Sequence, residues 1–473
     1  MTTITVDKKI LQRVLPIDHR HEAAALLPEI VGISIDSRTI KPGDVFFALR
    51  GETHDGHHHI DEACRRQASM IVLEAAYQEC SPKDKVTMVL VKDTLRAFSD
   101  VAASHLALLN PIRIAVTGSN GKTTTKEMIR AALGRVLGPD RVYASYGNKN
   151  NHFGVPLSAL EVTKQHRVAI FELGMNHPGE ITNLCQIVSP NIGIITNIGC
   201  AHEGNFIDGI DGIQRAKGEL FQSVSENRGT IVVNADDERV VFEACLAKSA
   251  RQIVFGSNNK ADVKITSHEP YSVESHSQAI AVSVDQETPI RFHVPLAGAH
   301  QAINATGALA VVRALGLSVR DASLGFMDMK ETKGRMNVFT SPLGFTVIND
   351  AYNANPASMK AGVLASMDIP AKRRIAAIGA MGELGDKSAA YHFELGKLLA
   401  HHFDYIFICG QDGRHAVQGA KSEGMLENQI QFKASSTELV DPIKALLQAN
   451  DLIFVKGSLS ANMLVIANAL QEM

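Results

Sequence analysis

Lys122 closes the run Thr117-Gly-Ser-Asn-Gly-Lys-Thr-Thr124, where residue types and spacing give the most definite chemistry in the chain. Gly118 and Gly121 let backbone N–H groups turn onto one anion, and the lysine adds a full positive charge. Thr123 is placed to offer its hydroxyl to a magnesium ion carried by phosphate oxygens. The strict phosphate-loop pattern wants glycine five residues before Gly121, where Val116 stands. The loop is therefore a variant, T-G-x-N-G-K-T-T. A glycine turn capping an ordinary helix is the alternative. The flanks favour nucleotide binding: Ile112 to Val116 is a short β-branched run expected as a buried strand, and Lys122 to Val136 has helical apolar spacing.

Other side chains could serve the same chemistry. Glu172 ends the apolar run Val168-Ala-Ile-Phe, and a carboxylate at a strand end suits a magnesium ligand; otherwise it is a solvated glutamate. His202 follows another apolar run, but a lone histidine is more often structural. Lys217 lies on an expected helix and is by default a surface lysine. Asn304 could cap, pack or contact a base through its amide. Arg335 can neutralise phosphate oxygens, and Asp350 can accept from ribose hydroxyls. Asp36-Ser37-Arg38 forms a polar loop that reads equally as turn chemistry or as a set of ligand donors. His57-His-His59 is expected in a solvated loop, because adjacent histidines do not converge on one metal.

The elements that must position these groups follow from length and pattern. A chain of 473 residues exceeds one core and suggests roughly three domains. Residues 1–92 read as a small mixed α/β N-terminal domain. Residues 93–320 read as a central, mostly parallel-sheet ATPase domain of the phosphate-loop type, because strands and helices alternate there. Residues 321–473 repeat that alternation as a C-terminal Rossmann-like domain, and Ser318 to Arg335 reads as the linker before it. Ligands in such α/β sheets gather at the carboxyl ends of the strands, where the residues named above fall.

Composition narrows the class. Hydrophobic residues make up 45% and charged residues 21%, as in an ordinary globular protein. A net charge of −3 offers no general attraction to nucleic acid. The six cysteines form no C-x-x-C pair, which suits reduced thiols in a cytoplasmic protein. No apolar core marks a signal peptide at the start, and no apolar stretch approaches the ~20 residues of a spanning helix, so no membrane insertion is expected.

Taken together, Thr117 to Thr124, Asn148-Lys-Asn-Asn151, Glu172-Leu-Gly-Met, Ala201-His-Glu, Lys217, Gly334-Arg335 and Asp350-Ala-Tyr-Asn-Ala-Asn-Pro356 resemble the Mur ligase family, in family order along almost the whole chain. Asp350 to Ser358 and Gly174-Met-Asn-His-Pro-Gly-Glu-Ile181 are most similar to the member that joins D-alanyl-D-alanine to UDP-N-acetylmuramoyl-tripeptide. The Asp-Asn-Pro-Arg-like motif of the preceding-step relative is not found. The resemblance implies an ATP-dependent ligase of peptidoglycan synthesis working through an acyl phosphate, as a monomer. Gly118, Ser119, Asn120, Gly121, Lys122, Thr123, Thr124, Asn304, Arg335 and Asp350 would bind ATP. Thr123 and Glu172 would hold one Mg2+, His202 and a carbamylated Lys217 a second. Ser34, Asp36, Ser37, Arg38, Asn150 and Asn151 would take the UDP-sugar, with Tyr352 and Asn353 also on substrate. The family's Lys-Gly-Ser-Arg and its following Met-Glu pair become Lys456-Gly-Ser-Leu459 and Met463-Leu464 here, losing one cation and one anion. The competing readings are a tripeptide synthetase-like or folylpolyglutamate synthase-like ligase, and, from another class, a nucleotide-dependent switch.

Overall fold

The computed structural model describes residues 4–16, 30–51, 53–80, 86–201, 203–330 and 333–473. Three sheets of five, nine and six strands follow one another along the chain, giving a three-domain α/β fold. The chain forms two compact units: Met1–Ala115 with Asp140–Leu173 and Thr182–Asn191, and Val116–Pro139 with Gly174–Ile181 and Ile192–Met473. The strand Ile112–Thr117 runs through both.

The first unit carries the five-stranded sheet. Thr5–Asp7 pairs antiparallel with Ile30–Ser34, and Val45–Phe47, Met70–Glu74 and Thr87–Val91 continue it in parallel. Its alternating apolar residues, among them Phe46, Ile71 and Leu73, bury one core face under the helix Ile60–Arg65. The helix Thr94–Leu109, started by the Asp93 side chain accepting from Arg96 N–H, buries Phe98, Val101 and Leu106.

The solvated loop expected around His57 is corrected at that residue, which is buried. Its Nε2 accepts the Glu74 backbone N–H at 3.0 Å, so Nδ1 carries the proton and donates to Asp55 Oδ1 at 2.6 Å. Tyr77 stacks on the ring at 4.0 Å and donates its hydroxyl to Asp55 Oδ2. Burial alone would raise the Asp55 pKa, but the bonds from His57 and Tyr77 outweigh it and hold it at about 2.

The second unit contains most of the nine-stranded sheet, whose order from its antiparallel edge is Ile290–Val294, Gln278–Val284, Val263–His268, Arg251–Gly256, Thr230–Asn234, Ile192–Ile195, Ile112–Thr117, Val168–Glu172 and Val142–Ala144. The antiparallel character expected for residues 262–295 is present in the last two pairings of that edge. The helix Lys122–Leu137 packs against Ala299–Ala314, which buries the small residues Ala302, Ala305, Gly307, Ala308 and Ala310.

The six-stranded sheet completes this unit, in the order Asn337–Thr340, Thr346–Asp350, Asp451–Lys456, Arg373–Gly379, Tyr405–Cys409 and Ile430–Lys433, parallel after the first pair. The linker expected at Ser318 to Arg335 instead folds in part: Val319–Ser323 is helical, Leu324–Asp328 is a tighter turn, and Phe326 is buried. Pro356 opens the helix Pro356–Met367 behind a capping box of Asn355 and Ser358. Proline lacks only an N–H that the first turn does not need.

The His57 network generates a prediction for the first unit. His57→Phe keeps the ring but strands the Glu74 N–H and removes a donor from Asp55. Chemical denaturation should show a loss of about 1–3 kcal/mol; unchanged stability would mean that the network does not hold this sheet.

Candidate functional site

The sheet places the loop between Thr117 and Lys122 at a strand's carboxyl end, and two glycines make its path possible. Gly118 has φ +146°, and a Cβ there would lie 1.9 Å from Thr196 Oγ1; Gly121 has φ +79°, and a Cβ there would lie 2.6 Å from Asn304 Oδ1. Both positions need glycine for backbone conformation and for close approach. Thr196 Oγ1 donates to Asn120 O at 2.6 Å, and Asn197 Oδ1 accepts from Asn120 N–H at 2.9 Å. Ser119 Oγ donates to Gly199 O at 2.9 Å and accepts Gly199 N–H at 2.8 Å. These bonds fix the loop where the helix Lys122–Leu137 begins, and its aligned dipoles make that end partly positive.

Lys122 Nζ donates to Gly118 O at 2.8 Å. Lys217, expected by default on the surface, is buried at 1% exposure within the helix Ile210–Glu226. Burial, and then the nearby charge of Lys122, push its amine well below the usual lysine range. A lysine buried near a second cation favours its neutral form or a compensating anion.

Asn304 lies against Gly121 and donates to Gln301 Oε1 at 3.0 Å. Thr124 and Arg335 share the wall of a cavity of ≈ 200 Å³ with Tyr271, Leu296, Asn337 and Val338. The Arg335 guanidinium stands 4.3 Å from the Tyr352 ring centroid. Its buried Nε has no hydrogen-bond partner among the described residues, which fits an acceptor such as a phosphate oxygen.

Asp350 and Lys456 end adjacent parallel strands in register. Sequence reading left Asp350 available to ribose; the structure has Oδ2 paired with Lys456 Nζ, and Oδ1 accepting Met336 N–H at 3.2 Å. Lys456 also donates to Asn353 O at 3.0 Å, while Asn353 Oδ1 accepts Ala354 N–H. Burial pushes the Lys456 amine down, against the pull of Asp350. Burial likewise pushes the partly buried His300 imidazole down to about 4, opposed by Asp350 and aided by Lys456.

In the first unit, Glu172 is buried and accepts from Asn150 Nδ2 at 2.9 Å. Asn151 Oδ1 accepts Gly154 N–H at 2.9 Å, at the start of the helix Gly154–Leu160. Arg38 forks onto Asp36 at 2.9 and 2.8 Å, and Ser34 Oγ donates to Asp36 O. Buried Ser37 opens that turn. His202 lies outside the described residues. Among the described residues no three His, Cys, Asp or Glu side chains converge as a preformed metal cage. A hydroxyl, isolated carboxylates and phosphate oxygens are the donor set that magnesium takes.

Sequence reasoning missed Asn355, whose Nδ2 donates to Asn120 Oδ1 at 2.6 Å across 235 residues. It also missed Lys456 as the partner of Asp350. Strand register could have signalled Lys456, because both residues close β-branched runs. Nothing local marks Asn355 beyond its cap. Leu459 is exposed, while Leu464 opens the helix Leu464–Gln471, close to Gly334.

Comparison with known proteins identifies the class. Three family models match: the Mur ligase family, catalytic domain at residues 29–106, the Mur ligase middle domain at 116–312, and the Mur ligase, glutamate ligase domain at 334–459. The chain belongs to the Mur ligase family. It is 30% identical to the UDP-N-acetylmuramoyl-tripeptide–D-alanyl-D-alanine ligase of Bacillus subtilis, over 91% of this chain and 90% of that one. The crystal structure of MurF from Acinetobacter baumannii superposes with a TM-score of 0.86 at 30% identity over the full length of both. MurF ligase from Thermotoga maritima, in complex with ADP, superposes at 0.81 with 25% identity, covering 93% of this chain and 97% of the other.

The depressed His300 sets a pH dependence. The unfolded histidine titrates near 6.5 and the folded one near 4. Between these values the unfolded chain binds the extra proton, so stability is full above pH 6.5 and declines as pH falls toward 4. His300→Gln should remove that component, at most about 1.4 kcal/mol per pH unit. Thermal unfolding at pH 7.5 and 4.5 compares the two; equal pH slopes would refute a buried neutral imidazole.

Proposed function

We infer that this chain is an ATP-dependent ligase that joins D-alanyl-D-alanine to UDP-N-acetylmuramoyl-tripeptide, completing the pentapeptide precursor of peptidoglycan. The observation that carries the chemistry is the phosphate loop with buried Lys217 beside Lys122. The substrate assignment is supported by relatives of that name, which match over nine-tenths of the chain. The work is cytoplasmic and carried out by a monomer, because ATP and nucleotide-linked precursors are cytosolic and one chain supplies every group named.

The reaction must bring an anionic carboxylate onto the γ-phosphorus of ATP, against charge repulsion. Lys122 and the helix N-terminus draw electron density onto the phosphate oxygens, and Arg335 offers its Nε to the same chain of phosphates. The tripeptide carboxylate oxygen bonds to phosphorus, and ADP leaves with the electrons of the broken P–O bond. The dipeptide amine then attacks the acyl carbon, loses a proton, and expels phosphate. Asn304 contacts the base at the floor set by Gly121. Asp350 orders the ribose side through its pairing with Lys456.

Thr123 and Glu172 would hold one magnesium ion, and His202 with Lys217 a second. When bound, the ions neutralise phosphate charge and polarise the bonds being exchanged. A neutral Lys217 amine adds to carbon dioxide, forming an N–C bond and releasing a proton, and the resulting carbamate is an oxygen ligand. Ser34, Asp36, Ser37 and Arg38 would receive the UDP-sugar, with Arg38 exchanging Asp36 for pyrophosphate oxygens. Asn150 and Asn151 shape the same approach from beside Glu172. Tyr352 and Asn353 would face substrate from the C-terminal sheet.

Phosphate release measured across paired UDP-peptides and amines tests the assignment. D-alanyl-D-alanine with the UDP-tripeptide should support turnover, and free glutamate or a diamino acid should not. Preference for either would move the chain to a neighbouring family activity. Lys122→Ala should lower kcat by about 10²–10³-fold or more with the fold intact; an unchanged kcat would remove the loop from the chemistry. Lys217→Ala should lose activity that short carboxylates partly restore, and indifference to the substitution would exclude the carbamate.

A further inference from the structure

The chemistry above leaves one set of contacts without a role. The loop after Ile192–Ile195 is bonded at one end to the phosphate loop, through the Ser119–Gly199 pair, and Ile198 N–H donates to Asp237 Oδ2 at 2.8 Å. Its other end is gripped by residues that follow the C-terminal strand Arg373–Gly379. Glu203 is buried, and both of its oxygens are taken: Lys387 Nζ donates to Oε1 at 2.7 Å and Tyr391 OH to Oε2 at 2.9 Å. Gly204 N–H donates to Glu383 O at 3.3 Å. A Cβ on Gly204 would lie 2.8 Å from Gly385 N, so the two backbones touch.

The gripping segment is itself stiff. His392 Nε2 accepts Met381 N–H at 2.9 Å, and its Nδ1 donates to Ser388 O at 2.8 Å. Ser388 Oγ donates to Asp412 Oδ2 at 2.6 Å. Glu383 stands at φ +61°, in the left-handed region that a non-glycine residue occupies only when its surroundings over-determine it. A rigid segment therefore holds a carboxylate on a loop whose opposite end is bonded to the phosphate loop.

We propose that Lys387 and Tyr391 are positioning residues of the ligase reaction: by holding Glu203, whose N–H donates to Cys200 O at 3.3 Å, they set the Gly199–Ala201 end of the loop against the phosphate loop when the C-terminal domain is docked. The assignment rests on the ligase reading and adds to it a route by which docking reaches the phosphates. Neither side chain touches the reacting atoms. Their effect is on geometry, where a misplacement of about 1 Å costs on the order of 10²-fold in rate. A salt bridge and a charge-assisted hydrogen bond can open and reform within each turnover.

The test uses the full-length enzyme carrying Lys387→Met with Tyr391→Phe, beside Lys387→Arg alone. The double variant should lose about 10–100-fold in kcat, with KM for ATP within about twofold of wild type. Hydrogen exchange of peptides covering residues 198–206 should accelerate, thermal unfolding should remain a single cooperative transition, and Lys387→Arg should retain most of the activity. An unchanged kcat, a fall in kcat without faster exchange at 198–206, or an Arg variant as poor as the double one would overturn the proposal. A wild-type enzyme inert in the same assay would instead remove the ligase reading, and the exchange measurement alone would then decide whether the latch holds the loop.

Discussion

Charge confined in a small volume is the constraint on which the site depends. Lys122 reaches back into its own loop, and Lys217 is buried close enough to feel it. A protein gains no stability from placing two amines this way, since desolvation and mutual repulsion both disfavour the charged forms. The arrangement makes sense as preparation for a visitor with several negative charges. Phosphate charge would relieve that repulsion, with Lys122 giving up Gly118 O to meet it. The glycines, the Thr196 and Asn197 bonds and the helix start all serve to keep that geometry fixed before anything binds.

Two polar contacts join the central and C-terminal sheets, beside an apolar one in which Tyr271 and Ala297 enter the C-terminal core. Asn355 reaches Asn120 on the phosphate loop, and Lys387 with Tyr391 reaches Glu203. Each is a directional bond between groups that water can also satisfy, so separation costs little. Within the C-terminal sheet the contacts are of another kind: the cores around Phe454 and Ile453 are apolar on both faces. Rigid bodies joined by exchangeable bonds suit a reaction that must admit three substrates and release three products.

Much of this was legible in the chain. Alternating apolar runs marked the strands, because parallel strands buried on both faces are nearly continuous in Val and Ile. The phosphate loop declared itself through glycines that no other residue could replace. Less legible was anything decided by long-range partners. Lys217 reads as a surface lysine until the helix Ile210–Glu226 is packed, and His57 reads as solvated until Glu74 and Tyr77 meet it.

Asp350 shows why identity of a residue does not fix its function. A carboxylate beside a nucleotide site invites the role of a hydrogen-bond acceptor for ribose, yet its Oδ2 is paired with Lys456 and its Oδ1 holds the Met336 N–H. A buried ion pair adds little net stability, because desolvation offsets most of the attraction. What the pair does supply is registration. It ties the ends of two neighbouring parallel strands, and Lys456 goes on to hold Asn353 O, so the turn carrying Tyr352 is set under Arg335. Removing Asp350 would leave the buried Lys456 ammonium with the Asn353 carbonyl as its remaining partner and the Arg335 charge nearby. The carboxylate acts first as the anchor of that local charge balance, and any contact with ribose is made by an oxygen already oriented for it.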